Sequence, residues 1–253
     1  MPKEKPKYTS LMAVSIHLGV SILIAAGVAW LVFYRWFPAP YHEITKGTSV
    51  FFLLIGVDVV CGPFLTWVLY RPEKPRYQWN IDLAIIVFIQ CGALAYGLQQ
   101  LSTVRPVWIA FEIDRIRVVQ WLDIGGPLEK RPPVFSLNTP QWIGVEQFEP
   151  HDPRFIQSVK MSLEGNHPAF QPDRWVDYNS QKDLVRGALR SIEKIYTKDK
   201  AHQSLIDAVL QNHGLEVTQI GYIPLVCDSV TDWVVLIRKD TLKPIKTLHI
   251  DGW

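Results

Sequence analysis

The sequence predicts a membrane protein: three transmembrane α-helices followed by a small α+β soluble domain. Two observations carry this. Three apolar runs, residues 11–33, 50–70 and 81–101, fill the first hundred positions. Each reaches the roughly 20 residues that a helix needs to cross a hydrocarbon core. Residues 105–253 instead read as strands at both ends with helices between them, the pattern of an α+β domain with a mixed or antiparallel sheet. The mean hydropathy of +0.08 hides this division, because a polar part dilutes an apolar one. The chain therefore divides into a three-helix domain, 1–104, and a soluble domain, 105–253.

Lipid offers the backbone no hydrogen-bond partner, so each apolar run must be a helix. Lys and Arg near the ends set the direction of insertion. Lys3, Lys5 and Lys7 precede the first run, and Arg71, Lys74 and Arg76 lie between the second and third, against Arg35 and Lys46 alone between the first and second. This asymmetry places the N-terminus and the 71–80 loop in the cytoplasm. Three crossings then put the C-terminal domain in the periplasm of a Gram-negative cell, with the helices in its inner membrane. Trp30, Tyr34, Trp36 and Phe37 would form the outer aromatic belt, and Trp67, Tyr70, Tyr77 and Trp79 the inner one. A cleaved signal peptide is the rival reading of the first run. Its apolar stretch exceeds an ordinary signal h-region, and no small-x-small site follows it.

Polar residues at membrane depth are costly, and each raises a functional question. Asp58 lies near the middle of the second run, with Gly62 and Pro63 just beyond it. The proline removes a backbone donor and the glycine permits close approach of a neighbouring chain. His17 lies about two turns into the first helix, and Gln90 lies along the third. Two readings stand. These groups join the three helices to one another, or some of them engage a partner helix that carries its own polar group. A proton relay would need ionisable groups across the whole bilayer, and the outer half supplies none. No internal repeat of the alternating-access kind is visible.

In the soluble domain, residues 105–121 alternate apolar and polar side chains as a strand region. It follows the third helix directly, which holds the domain near the membrane surface. Residues 125–140 are rich in turns. Residues 152–164 read as a helix with Asp152 as N-cap, Pro153 in the first position and Gly165 past the end. A loop over 166–179 precedes two helices, 180–196 and 198–212, the second stopped by Gly214. Strands return at 219–227, 232–238 and 245–250, the last two as a hairpin.

Chemistry is sparse. Nucleophile-elbow, phosphate-loop and dinucleotide motifs are all missing. Cys61 and Cys91 fall in apolar runs and Cys227 stands alone in the soluble domain, so no internal disulfide forms there. No Cys/His spacing suits a metal, no cofactor is implied and no catalytic residue can be assigned. The charge is +3 up to Val104 and −1 beyond it, which gives no basic field to hold nucleic acid. Asp114-Arg115 forms a local pair on the strand region and a possible contact point in the periplasm.

The order of short motifs resembles the type IV pilin accessory proteins of the TfpX/TfpZ family. The likeness rests on Ile16-His17-Leu18, then Gly56-Val57-Asp58 with Cys61-Gly62-Pro63, then Asp82-Leu83, Gln90 and Ala95-Tyr96-Gly97. Arg105-Pro106-Val107, Asp114-Arg115 and the terminal Asp251-Gly252-Trp253 continue it. The family's ending would carry a proline before that tryptophan. The likeness runs through residues 11–120, is looser over 125–215 and returns weakly in the tail. It implies a non-enzymatic, chaperone-like helper that binds type IV major pilin and promotes pilus assembly or dynamics. His17, Asp58, Gly62, Pro63 and Gln90 would receive the pilin helix, while the soluble domain, with Asp114 and Arg115, would touch the pilin head. The rivals are a structural subunit or sensor of another envelope complex and a membrane enzyme modifying pilin. A sensor would need an output module, and the inner segments are only about ten residues long, too short to fold.

Overall fold

A computed structural model describes residues 10–45, 47–69, 71 and 74–253. Lys3, Lys5, Lys7, Lys46 and Tyr70, which support the expected orientation and belts, lie outside the described residues. The chain forms two compact units. One comprises the described residues up to Arg105 together with Leu137–Thr139, and the other comprises Pro106–Ser136 and Pro140–Trp253.

The first unit contains α1 (Ser10–Trp30), continued by a π-helical turn over Leu31–Trp36, the short α2 (Tyr41–Ile44), α3 (Gly47–Leu69) and α4 (Arg76–Val104). Three stretches, Leu11–Trp36, Gly47–Leu69 and Tyr77–Val104, are long and apolar enough to cross a membrane. Each outruns the apolar stretch that predicted it. Helical hydrogen bonding continues through polar residues such as Gln78 and Asn80 until something stops it, here the extended Pro75 that precedes α4. Towards the C-terminal ends of α1 and α4, Val28, Val32, Trp36, Phe37, Phe51 and Leu101 pack into a buried cluster. Trp36 and Phe37 are thus core, a correction to the expected outer belt, whereas Trp30 and Tyr34 are exposed. Phe37 fills the space over Gly47, where a Cβ would lie 2.6 Å from its ring. Gly97 gives Leu54 the same room between α3 and α4.

The second unit is built on a mixed eight-stranded sheet in the order β4-β3-β1-β2-β6-β7-β8, with β5 pairing β6 off this path. The strands are β1 (Pro106–Glu112), β2 (Arg115–Gln120), β3 (Gln141–Val145), β4 (Trp175–Asp177), β5 (Arg190–Ser191), β6 (Ile220–Cys227), β7 (Val230–Arg238) and β8 (Pro244–Leu248). The β1–β3 and β2–β6 pairs are parallel, and the others are antiparallel. The first strand region therefore joins the tail strands in one sheet through β2–β6.

Four expectations need correction. The 105–121 region is a hairpin rather than one strand, turning at Ile113-Asp114 with Glu112 opposite Arg115. Ile113 takes φ 60°, a conformation that Gly adopts without cost and a β-branched residue resists. The 152–164 helix begins later, as α5 (Phe155–Leu163). The Asp152 carboxylate accepts from the Arg154 backbone N–H at 2.8 Å in a turn before it. The 166–179 loop contains β4, which pairs with β3. The 180–196 helix is broken into α6 (Lys182–Ala188) and α7 (Glu193–Tyr196), because Arg190 and Ser191 leave the helical path to pair with Tyr222 and Gly221.

The last helix, α8 (Lys200–His213), begins two residues after the predicted start and stops at the predicted Gly214. Asp199 caps it by accepting from Ala201 N–H at 3.0 Å, and Gly214 closes it at φ 61°. Its buried face, Ile206, Val209 and Leu210, packs with Ile192 and Ile195 on Ile220, Tyr222, Val234 and Leu236 of β6 and β7. A separate cluster, Val107, Ala110, Val119, Ile124, Val145 and Ala169, forms around β1, β2 and β3.

Candidate functional site: a polar lock between three apolar helices

Three of the predicted membrane residues meet. His17 on α1 lies with its Nδ1 2.5 Å from Thr66 Oγ1 on α3 and its Nε2 2.7 Å from Gln90 Oε1 on α4. Gln90 Nε2 donates to the backbone carbonyl of Asp58 at 3.2 Å. One chain of hydrogen bonds thus ties all three helices. Its direction follows from donor chemistry. A backbone carbonyl only accepts, so the Gln90 amide nitrogen must face Asp58 and its oxygen His17. That oxygen also only accepts, so His17 Nε2 carries the proton of this bond.

Gly62 and Pro63 make the space. Both are buried, as is Thr66 one turn on. A Cβ at position 62 would lie 2.0 Å from Gln90 Nε2 and 2.9 Å from His17 Nε2, so only glycine lets the two side chains meet there. Pro63, inside α3, has no N–H, so the Val59 carbonyl one turn back lacks its helical donor. Asp58 enters the lock through its backbone alone. Its carboxylate is half-buried and, among the described residues, has no hydrogen-bond or ion-pair partner. Thr66 was not foreseen. A threonine in an apolar helix is unremarkable by itself, and only its place four residues after Gly62 hinted at a shared face. Nearer the loop between α3 and α4, Lys74 Nζ bonds Asp82 at 2.5 Å.

Asp114 and Arg115 belong to the second unit, at the β1–β2 turn. Arg115 Nε donates to Asp114 at 2.8 Å, and Arg190 approaches the same carboxylate at 3.9 Å. Both guanidinium groups lie over the Trp253 ring, at 4.8 and 4.5 Å. Arg190 also donates to the Gly252 carbonyl at 2.8 Å, and Trp253 Nε1 donates to the Thr231 carbonyl at 3.1 Å. The Asp251-Gly252-Trp253 ending is therefore bound against β2, β5 and β7. It lines a shallow pocket of about 520 Å³ with Arg115, Val226, Thr231 and Asp232. His249 holds Asp232 below the usual carboxylate range by hydrogen bonding to it.

The α/β unit also carries an apolar surface on α5. No residue of α5 is buried, and Ile156, Val159 and Leu163, spaced to share one helix face, are all exposed. Among the described residues no three His, Cys, Asp or Glu side chains gather to hold a metal. Burial pushes the lone Cys227 thiol up to about 11, which makes it inert rather than nucleophilic.

These features define a class: a protein with three membrane-length helices pinned by an internal polar lock and carrying an α/β domain with an exposed amphipathic helix. Comparison with known proteins narrows it. Residues 7–46 match the family model described as fimbrial assembly protein FimB. The chain is 33% identical over 236 residues to the fimbrial assembly protein, serogroup I, of Dichelobacter nodosus, covering 89% of each chain. It is 31% identical to the serogroup E1 protein over the same share of both. It is also 42% identical over 109 residues to the protein of serogroups C1 and C2, covering 43% of this chain and 83% of that relative. The chain belongs to this family of fimbrial assembly proteins. No solved structure matches it.

Proposed function

We propose that this protein binds type IV major pilin in the inner membrane and promotes pilus assembly without catalysis, as an accessory protein of the TfpX/TfpZ kind. The observation that carries the reading is the near end-to-end similarity to fimbrial assembly proteins. The orientation is N-terminus in the cytoplasm and α/β domain in the periplasm. A membrane-held subunit with a periplasmic head would then meet both units. Its apolar helix would lie along the α1–α3–α4 face that carries the Asp58 carboxylate, beside Gly62, Pro63 and the His17–Gln90 lock. Its head would touch the α/β domain through the exposed face of α5 and the Asp114-Arg115 turn.

The test is affinity purification of the full chain, tagged at its N-terminus, expressed at native level and solubilised gently, followed by mass spectrometry. Major pilin should be enriched with the unaltered chain and lost with Asp58→Leu, while the variant still reaches the membrane. Pilin missing from the unaltered complex, with other envelope proteins enriched, would sink direct binding and favour a structural subunit. Pilin recovery unchanged by Asp58→Leu would remove that carboxylate from the contact.

A further inference from the structure

We infer that the outward seam of α4, formed by Ile85, Ile89, Gly92, Tyr96 and Gln99, is the face through which two copies of this chain pair side by side. Successive members are four, three, four and three residues apart, the spacing of one seam along a helix that packs against a neighbour. Ile85, Ile89 and Tyr96 are each more than half exposed, and Gly92 and Gln99 are exposed as well. The opposite side of α4 is committed within the chain. Ile86 and Leu101 are buried there, Gln90 joins the lock, and Gly97 makes room for Leu54.

The seam departs from what a lipid-facing surface should carry. Tyr77–Val104 is a membrane-length stretch of 28 residues, about 42 Å as a helix. Centred on a hydrocarbon core of about 30 Å, it would hold Tyr96 and Gln99 inside that core. An amide there has no water to bond, and amides of apolar helices find their partners on other helices. The Gln99 backbone carbonyl accepts from the Ser102 hydroxyl at 2.7 Å, but among the described residues the Gln99 side-chain amide has no partner. Two turns earlier, a Cβ added at Gly92 would meet nothing within 4 Å, so a neighbouring helix can approach closely. The chemistry selects a second copy as the occupant. An amide carries both a donor and an acceptor and so complements itself. Identical chains insert to the same depth, so a two-fold axis along the membrane normal sets the Gln99 amides of two copies opposite each other. An unrelated helix would need its own polar group at that depth. No Asp, Glu, Lys or Arg lies between Asp82 and Arg105, so the two faces meet without like-charge repulsion.

The inference rests on α4 crossing a bilayer and is independent of pilin binding. The test places the full chain, labelled at its N-terminus with donor or acceptor, in vesicles of phosphatidylcholine and phosphatidylglycerol. Energy transfer should exceed the level of random proximity as lipid is added, and unlabelled chain should compete it away. Gln99→Leu should weaken the association about threefold to thirtyfold, the range that interhelical hydrogen bonds supply. It breaks no side-chain bond inside the chain, so its yield in the membrane should match that of the unaltered protein. Disulfide mapping gives a second readout. Cys61→Ala and Cys91→Ala remove the exposed thiols, leaving the buried Cys227. In that background Ile85→Cys and Ile89→Cys should form linked dimers on oxidation, because equivalent seam positions face each other. Leu23→Cys, on the exposed side of α1, should not. Energy transfer at the random level would refute the pairing, whether or not pilin is recovered with the chain. Association that survives Gln99→Leu and links equally well through Leu23→Cys would put the contact on another face and also refute it. A chain that is monomeric in lipid, but whose pilin recovery falls with Gln99→Leu, would give the seam to another partner and overturn the second copy. A chain that alkaline carbonate strips from the vesicles does not cross, and the inference fails with the crossing.

Discussion

Gly62→Ala is the sharpest test of the polar lock. The added methyl would sit 2.0 Å from Gln90 Nε2 and 2.9 Å from His17 Nε2. Gln90 is flexible and will swing aside, so the steric cost itself is small. What is lost is its bond to the Asp58 carbonyl and its bond to His17. Interhelical hydrogen bonds in membranes average about 0.6 kcal/mol and reach about 1.7, so losing both costs about 1–3 kcal/mol, or about 5- to 150-fold in the unfolding equilibrium. The better helix propensity of Ala offsets up to about 1 kcal/mol of this. The effect is read by SDS titration of the full chain in mixed micelles, with a fluorophore pair on α1 and α4 reporting on the helical unit. The decisive form is a double-mutant cycle with Gln90→Ala, in which the methyl no longer displaces anything but the edge of His17. A coupling of about 1–2 kcal/mol is expected. If Gly62→Ala costs as much with Gln90 removed as with it present, the glycine serves some other contact and the lock is misread.

Three further outcomes follow from the α/β domain. Glu112 and Arg117 form a buried ion pair at 2.7 Å, and Glu112 also accepts from Ala169 N–H at 3.1 Å; Glu112→Ala leaves an uncompensated guanidinium and should cost about 3–5 kcal/mol, visible as a lowered thermal transition. Ile113→Gly relieves a β-branched residue at φ 60° and should stabilise the hairpin by about 1–2 kcal/mol, checked by denaturant titration of the intact chain. Side-chain and backbone hydrogen bonds from Arg154 hold the Asp152 carboxyl at about 2. A carboxyl lowered in the folded state contributes stability above its unfolded value, and that contribution is lost as pH falls from about 4 to about 2. Arg154→Ala should raise the Asp152 titration midpoint in carboxyl-detected NMR.

The sequence made some of these features legible and hid others, according to how local their causes are. A lipid-length apolar run is a local signal, and so is the Gly214 stop of α8. The fate of Trp36 and Phe37 is not local: the same aromatic residues suit a lipid belt or a packed core, and only the position of Gly47 and Phe51 decides. β3 and β4 are five and three residues long, too short for alternation to emerge. The β1–β2 turn carries Ile-Asp where a hairpin usually carries Gly or Asn. β5 cuts into a good helical pattern because Tyr222 and Gly221 offer its backbone partners 30 residues away in sequence. In the apolar helices, His17, Gly62 and Gln90 are visible as oddities of composition. That they form one hydrogen-bonded chain depended on Thr66 and on three helices meeting.

That chain bears on which residues are free to bind anything. His17 uses both ring nitrogens inside the lock and Gln90 uses both ends of its amide. A partner helix could recruit them only by breaking bonds that hold the bundle together. The Asp58 carboxylate has no such commitment among the described residues. It lies on the helix whose carbonyl the lock already fixes, so it is held in place without its charge-bearing oxygens being consumed. The five polar and small residues of the apolar helices therefore divide by role. His17, Gly62 and Gln90 hold the three helices together, and in the proposed function Asp58 is the group left to meet a polar partner. The division has a consequence that either role alone would not produce. Loss of His17 should reduce the amount of folded protein and pilin recovery together, whereas loss of the Asp58 carboxylate should reduce pilin recovery at unchanged protein level.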